Sequence, residues 1–407
     1  MLDRINIKLG FALIVLSLLS GCETLGGSKN VGTTDIRYAQ AEIPSDTLLD
    51  VDIQIFTYAG RQELDEDEFY DANLMKAESR YIPFHLKRTL ERSGQWGSVQ
   101  VTPEADNSLN LLVEGRIVES NGELLKLEIQ VSDSTGDQWF TQSYESEIEP
   151  IDYHGTEKGV QDPFQNIYNQ LANDLLEARE EKTRKELRQI RDVSTLRFAA
   201  DLAADPYSAY LRTDTNGRTT AARLPSKDDP NMARVLRLRE REYMFLDTLN
   251  LYYSNLYDRM WDPYLDWRES YLTETKAKEK IETEATTRKI LGALAIAAAV
   301  ANEVYGGRNT SHTATAVLAA GGAWGISSGI EIAEGAQIHS DAIKELADSF
   351  TDDIDPVVIE VEGKTRELSG TAETQYTQWR KLMRKIYIEE TGFTPQASDV
   401  VSTSSPP

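Results

Sequence analysis

The chain has 407 residues, 67 Asp and Glu against 43 Lys and Arg, a net charge of −24 and a mean hydropathy of −0.45. A chain this acidic repels phosphate backbones, which excludes nucleic acid as a partner. Its one cysteine, Cys22, leaves no intramolecular disulfide framework to build on.

The first residues, MLDRINIKLGFALIVLSLLSGC, set Arg4 and Lys8 before an apolar run from Leu9 to Leu19 and the small pair Ser20-Gly21. This is the layout of a secretory signal peptide, residues 1–21. The apolar run is shorter than the ~20 residues that a spanning helix needs. Leu19-Ser20-Gly21-Cys22 resembles the lipobox of bacterial lipoproteins. The resemblance implies a signal cut before Cys22, diacylglycerol on its thiol and an acylated amine. At about 0.8 kcal/mol per buried CH₂, two or three chains anchor durably. In the Gram-negative members an aspartate after the cysteine favours the inner membrane, so Glu23 implies a lipid-anchored place in the outer membrane, facing the periplasm.

Residues 22–45 are polar and rich in Gly, Ser and Thr, as a flexible tether would be. From 46 to 152 the pattern is that of a small α+β domain of order β-α-β-β-β-β. Val51, Ile53 and Ile55 alternate as a strand does. A helix follows in RYIPFHLKRTLERSGQW, with Pro83 near its first turn and Gly94 past its end. Four strand patterns then run through VQVT, NLLVEGRIVES, ELLKLEIQVSD and DQWFTQSYESEI, with Asn121-Gly122 turning a hairpin. The helix-to-strand passage and the turn carrying Asp133, Gly136 and Trp139 resemble the periplasmic domains of ABC-transport auxiliary lipoproteins and of the curli-secretion lipoprotein, over about a quarter of the chain.

A long-helix domain is expected over 160–354. Ile167, Leu171, Leu175, Leu187, Ile190 and Leu196 lie at helical spacing, with Glu180–Arg184 and Glu181–Lys185 as i,i+4 pairs between them. Residues 213–230 read as a loop. Phe245, Leu249, Tyr252, Leu256 and Met260 then form a core stripe, which Pro263 restarts or kinks. Within this domain, 290–335 reads as a Gly/Ala-rich helical hairpin. Its arms carry Ala293, Ala297 and Ala301, then Gly321, Gly325 and Gly329, small residues every fourth position that let backbones approach closely. The first arm, Ile290 to Ala301, reaches ~18 Å and the second, uncharged from Ala314 to Ile330, ~26 Å, both short of the ~30 Å hydrocarbon core. A packed hairpin is the expectation, and one that inserts on homo-oligomerisation the alternative. Residues 355–392 read as a β-hairpin and an amphipathic helix with Tyr376, Trp379, Met383 and Ile386 on one face; 393–407 read as a disordered tail.

Catalytic motifs fail on their context. Gly325-Ile326-Ser327-Ser328-Gly329 matches G-x-S-x-G, but helical spacing precedes it where a nucleophile elbow needs a strand. Gly363-Lys364-Thr365 matches the end of a phosphate-binding loop, whose first glycine is replaced by Val358. His85, His154, His312 and His339 stand apart, and the acidic runs Asp65–Glu68 and Asp352–Asp355 lack calcium-loop alternation. The expectation is a chain that is not an enzyme and has no cofactor or metal: an envelope scaffold or accessory subunit, held to the membrane through acylated Cys22, whose protein partners the sequence does not identify. Its sheet edges and the aromatic helix 372–391 would be the docking surfaces. The alternative is a homo-oligomeric secretion or pore component using 290–335 as membrane element.

Overall fold

The computed structural model describes residues 28–58, 72–105, 108–226, 228–305, 357–361 and 364–392, with the side chains of 72, 73, 150, 205, 274, 277–305, 358–361 and 364–366 excepted. The fold is α+β. Its sheet contains β1 (Lys29–Asn30), β2 (Val51–Gln54), β3 (Thr57–Tyr58), β4 (Val99–Thr102), β5 (Leu111–Ser120), β6 (Leu124–Asp133) and β7 (Gln138–Glu147). The spatial order is β1-β7-β6-β5-β2-β4, with β3 also on β5. β5, β6 and β7 form an antiparallel meander, while β2 runs parallel to both β4 and β5. Along β6, Leu125, Leu127, Ile129 and Val131 are buried, the period-2 alternation of a strand with one face on the core. Asn121 Oδ1 accepts from the backbone N–H groups of Glu123 and Leu124 and turns the β5–β6 hairpin.

Helix α1 (Ala72–Ser93) begins about two turns before the expected start, so Pro83 lies inside it. The stripe Leu74, Ala77, Tyr81 continues the helical spacing upstream, and its burial outweighs the proline's cost. Proline donates nothing to the carbonyl four residues back. That carbonyl, on Ser79, accepts instead from the Phe56 N–H at 2.8 Å and anchors the chain between β2 and β3. Gly94, at φ 65°, closes the helix.

The helical pattern from Ile167 to Leu196 is divided between two helices, α2 (Gln165–Glu180) and α3 (Arg184–Leu202). Thr183 and Glu186 form a capping box, each side chain accepting from the other's backbone N–H. Glu180 therefore pairs with Arg37 and Arg184 with Asp46, in place of the expected i,i+4 pairs. The expected flexible tether is also held from residue 28 onward. β1 pairs with β7, and the carboxamides of Asn166, Asn169 and Asn173 on α2 hydrogen-bond the backbone of Thr34, Asp35 and Arg37 at 2.8–3.0 Å.

After the short α4 (Ala204–Tyr207), β8 (Leu211–Thr213) and β9 (Thr219–Ala221) form a hairpin in what reads as loop. Helix α5 (Pro230–Tyr305) then runs for 76 residues, about 114 Å at 1.5 Å per residue, and Pro263 does not end it. Among the described side chains of α5, Leu272 is the last in the core cluster. Strands β10 (Val357–Val361) and β11 (Lys364–Leu368) form the expected hairpin, and α6 (Ala372–Thr391) the expected helix, capped by Thr371 and by Gly392 at φ 67°. Apolar side chains of the sheet, α1, α2, α3, α5 and α6 belong to one core cluster. Among the described residues, no helix is long and apolar enough to cross a membrane.

Candidate functional site

Two clusters of polar residues stand out, one sealed and one open. The sealed one forms where α1, α2 and α5 meet the β5–β6 end of the sheet. Arg268 of α5 is fully buried, with Nη1 3.4 Å from both carboxylate oxygens of the equally buried Asp162. Its guanidinium lies over the ring of Tyr264 at 3.9 Å and that of Phe164 at 5.0 Å, and it donates to the Tyr264 hydroxyl. Glu78 of α1 accepts from the hydroxyls of Tyr58, Tyr264 and Ser120. Burial pushes the Glu78 carboxyl up to about 7, against the opposing pull of Arg268 and the hydroxyls. Two turns along α1, His85 contacts the Tyr257 hydroxyl at 2.7 Å and Gln165 at 2.8 Å, and burial holds its pKa down.

Close packing completes this seal. Tyr81 stacks on Tyr257 at 4.7 Å and meets Tyr264 edge-on at 4.8 Å. Gly122, in the β5–β6 turn, abuts α5 so closely that a Cβ there would stand 2.0 Å from the carbonyl oxygen of Arg268. The cluster therefore joins helices to sheet and presents no face to a substrate.

The open cluster lines a cleft of about 610 Å³ between α3, α6, the β8–β9 hairpin and the stretch after β4. Arg197, Arg380, Lys381 and Arg384 line it, against the carboxylates of Glu104 and Asp201. Asp201 orients two of the cations: it accepts from Arg380 Nη2 at 2.6 Å and pairs with Arg384. Arg380 also reaches Glu242 at 2.6 Å, and Arg197 donates to the Thr219 hydroxyl at 2.9 Å. Among the described residues the lining holds four cations against Glu104 and Asp201, with Glu242 on Arg380 as a third carboxylate, a local excess of positive charge in a chain of net charge −24.

Most residues singled out in the sequence fall elsewhere. Cys22, Gly321, Gly325, Gly329 and Ser327 lie outside the described residues. Ala293, Ala297 and Ala301 fall on the backbone of α5, four apart, and so along one line of the helix. Asp133, Gly136 and Trp139 do come together: Trp139 Nε1 donates to Asp133 Oδ2 at 2.8 Å, and Gly136 takes a φ of 84° in the turn between them.

The expected docking surfaces are already used within the chain. Asn250 of α5 caps the β4 edge, accepting from the Val101 N–H at 2.9 Å and donating to its carbonyl at 3.0 Å. Part of the β7 edge carries β1. Tyr376, Trp379, Met383 and Ile386 are buried, with Trp379 stacked on Phe245 at 5.1 Å.

Apart from Tyr376, the residues of the open cleft are not among those the sequence singles out. Their available signal is the basic run Arg380-Lys381 and Arg384-Lys385 on one helix of an acidic chain.

No family model matches the sequence, and no curated protein matches it. Among solved structures, the crystal structure of protein XCC0632 from Xanthomonas campestris, of family model DUF330, is similar over 37% of this chain and 93% of its own. The identity is 11% and the TM-score 0.21, too low to assign a shared fold or activity.

Proposed function

We propose that this chain is a lipid-anchored, periplasm-facing outer-membrane lipoprotein, working as a non-enzymatic scaffold or accessory subunit in envelope assembly or transport. The observation that carries the scaffold role is α5. Continuous over 76 residues and about 114 Å, it is fixed to the α+β body by the Arg268 cluster and by Lys276 paired with Glu123. A continuous helix of that length, fixed to a folded body, suits a spacer. The lipobox Leu19-Ser20-Gly21-Cys22 supports the anchor. Labelled palmitate should enter the wild-type chain in a Gram-negative host and sediment with outer membranes, and Cys22→Ser should lose both. A wild-type chain that takes up no label would sink the reading.

The alternative, a homo-oligomeric secretion or pore component, draws on Ala293, Ala297 and Ala301 repeating every fourth position on one continuous helix. The mature chain with Cys22→Ser should then float with liposomes and form oligomers that depend on lipid. A monomer that stays unbound favours the scaffold.

A further inference from the structure

We propose that the cleft between α3, α6 and the β8–β9 hairpin binds a phosphate ester of a hydroxyl-rich small molecule. Arg197, Lys381 and Arg384 hold its phosphate, and the hydroxyls of Thr213, Thr219 and Thr377 meet its body. This inference does not depend on the anchor or on the scaffold role.

Three observations carry it. The first is charge. Among the described residues four cations line the cleft with Glu104 and Asp201, and Glu242 behind them takes up Arg380, which leaves a local excess of positive charge that an anionic group can meet. The second is geometry. Asp201 sits between Arg380 and Arg384 and ties both guanidinium groups to one carboxylate, so their planes are fixed before a ligand arrives. Arg380 is spent on Asp201 and Glu242, with its side chain only 13% exposed, and it serves as the brace. Arg384 is 47% exposed and Lys381 is also exposed, so both can reach an anion. Arginine favours phosphate because its planar fork can meet two oxygens at once.

The third is size and lining. At about 610 Å³ the cleft falls in the range of small-molecule sites and far exceeds one phosphate group. The Thr213 and Thr219 hydroxyls lie 3.0 Å apart, and Thr377 donates to Glu104 at 3.2 Å. Such a wall exchanges hydrogen bonds with a sugar or glycerol body better than it packs an alkyl chain. The ester can be a free sugar phosphate or the glycerophosphate headgroup of a lipid; the chemistry recognised is the same.

The test is calorimetric titration of the full chain with glucose 6-phosphate, monomeric dihexanoyl phosphatidylglycerol, inorganic phosphate and glucose. At least one ester should bind saturably and more tightly than inorganic phosphate, and glucose should not bind. Tighter binding of glucose 6-phosphate identifies a free ester as the source, and tighter binding of the lipid identifies a headgroup. Lys381→Glu and Arg384→Glu should each weaken the ester about tenfold or more, the loss of one charge-assisted contact. Lys385→Glu, on the same helix but paired with Glu389 away from the cleft, should stay within about twofold. Each variant's melting curve separates lost binding from lost folding. The proposal is overturned if neither ester binds up to about 10 mM, or if both cleft variants bind as wild type. Inorganic phosphate binding as tightly as the esters would overturn the role given to the hydroxyls.

Discussion

Arg268 and Arg384 both sit opposite an aspartate, on long helices of the same acidic chain, yet they do different work. Arg268 and Asp162 are wholly buried, enclosed by aromatic rings and by the β5–β6 turn. Arg384 and Asp201 keep part of their surface in water, beside a cleft that a small molecule could fill. Solvent decides the difference. A buried ion pair has given up its hydration and is tolerated only while both partners and their hydrogen bonds stay in place. An exposed pair stays screened, costs little to disturb and leaves its charge available to a ligand.

The comparison is most sharply tested by deleting the buried cation. Arg268→Ala should destabilise the protein by about 3–5 kcal/mol, because Asp162 is left charged, dry and unpaired. Urea unfolding reads this directly. Arg268→Met combined with Asp162→Leu should recover most of the loss, since it removes both charges together. If the double variant is no better than the single one, packing around the guanidinium, and not charge, holds the junction.

Glu78 gives the second test through pH. Its folded value of about 7 lies above the ordinary 4.5, so its contribution is fully present below about pH 4.5 and is lost as pH rises through 7. The window is worth roughly 3 kcal/mol at 1.36 kcal/mol per unit. His85 works in the opposite direction, because its lowered pKa removes stability as pH falls below 6.5. The wild-type profile therefore mixes the two. The difference between wild type and Glu78→Gln cancels His85, and it should shift in favour of Glu78→Gln as pH rises from 4.5 to 7.5. A difference that stays flat would place water against Glu78 and open the seal.

Asn250 tests whether a buried polar contact without charge behaves like the sealed cluster. It makes two hydrogen bonds to Val101 at the β4 edge, so Asn250→Ala should cost about 2 kcal/mol. Hydrogen exchange at the Val101 amide should rise with it, and the uncovered edge should favour self-association.

The local parts of this fold are legible in the sequence because neighbouring residues determine them. The alternation of Leu125, Leu127, Ile129 and Val131, the Asn121-Gly122 turn and the glycines ending α1 and α6 each report their own backbone. Pro83 misleads because its position in the helix depends on a distant partner, the Phe56 N–H that takes up the freed Ser79 carbonyl. The break at Thr183 is written as T-x-x-E, but the charge pairs spanning it make an equally good pattern for unbroken helix. Asn216-Gly217 likewise marks the β8–β9 hairpin inside a stretch whose composition reads as loop. The two charged clusters could not be read. Glu78, Asp162 and Arg268 are separated by about 80 to 190 positions, and the cleft draws on five elements or connecting stretches. Only the core packing brings them together.

The smallest effect is the one that holds the comparison in place. Arg384→Ala removes an arginine and breaks an ion pair, as Arg268→Ala does, yet it should cost at most about 1 kcal/mol. Asp201 would keep its contact with Arg380 at 2.6 Å and would remain partly in water, so no charge is stranded. Thermal melting at low and high salt checks this, and the small loss should shrink further at high salt, where exposed pairs are screened. A cost near that of Arg268→Ala would mean that the open cluster is a second structural bolt. Its arginines would then be committed to the fold, and the cleft they line would have no cation to spare for a ligand.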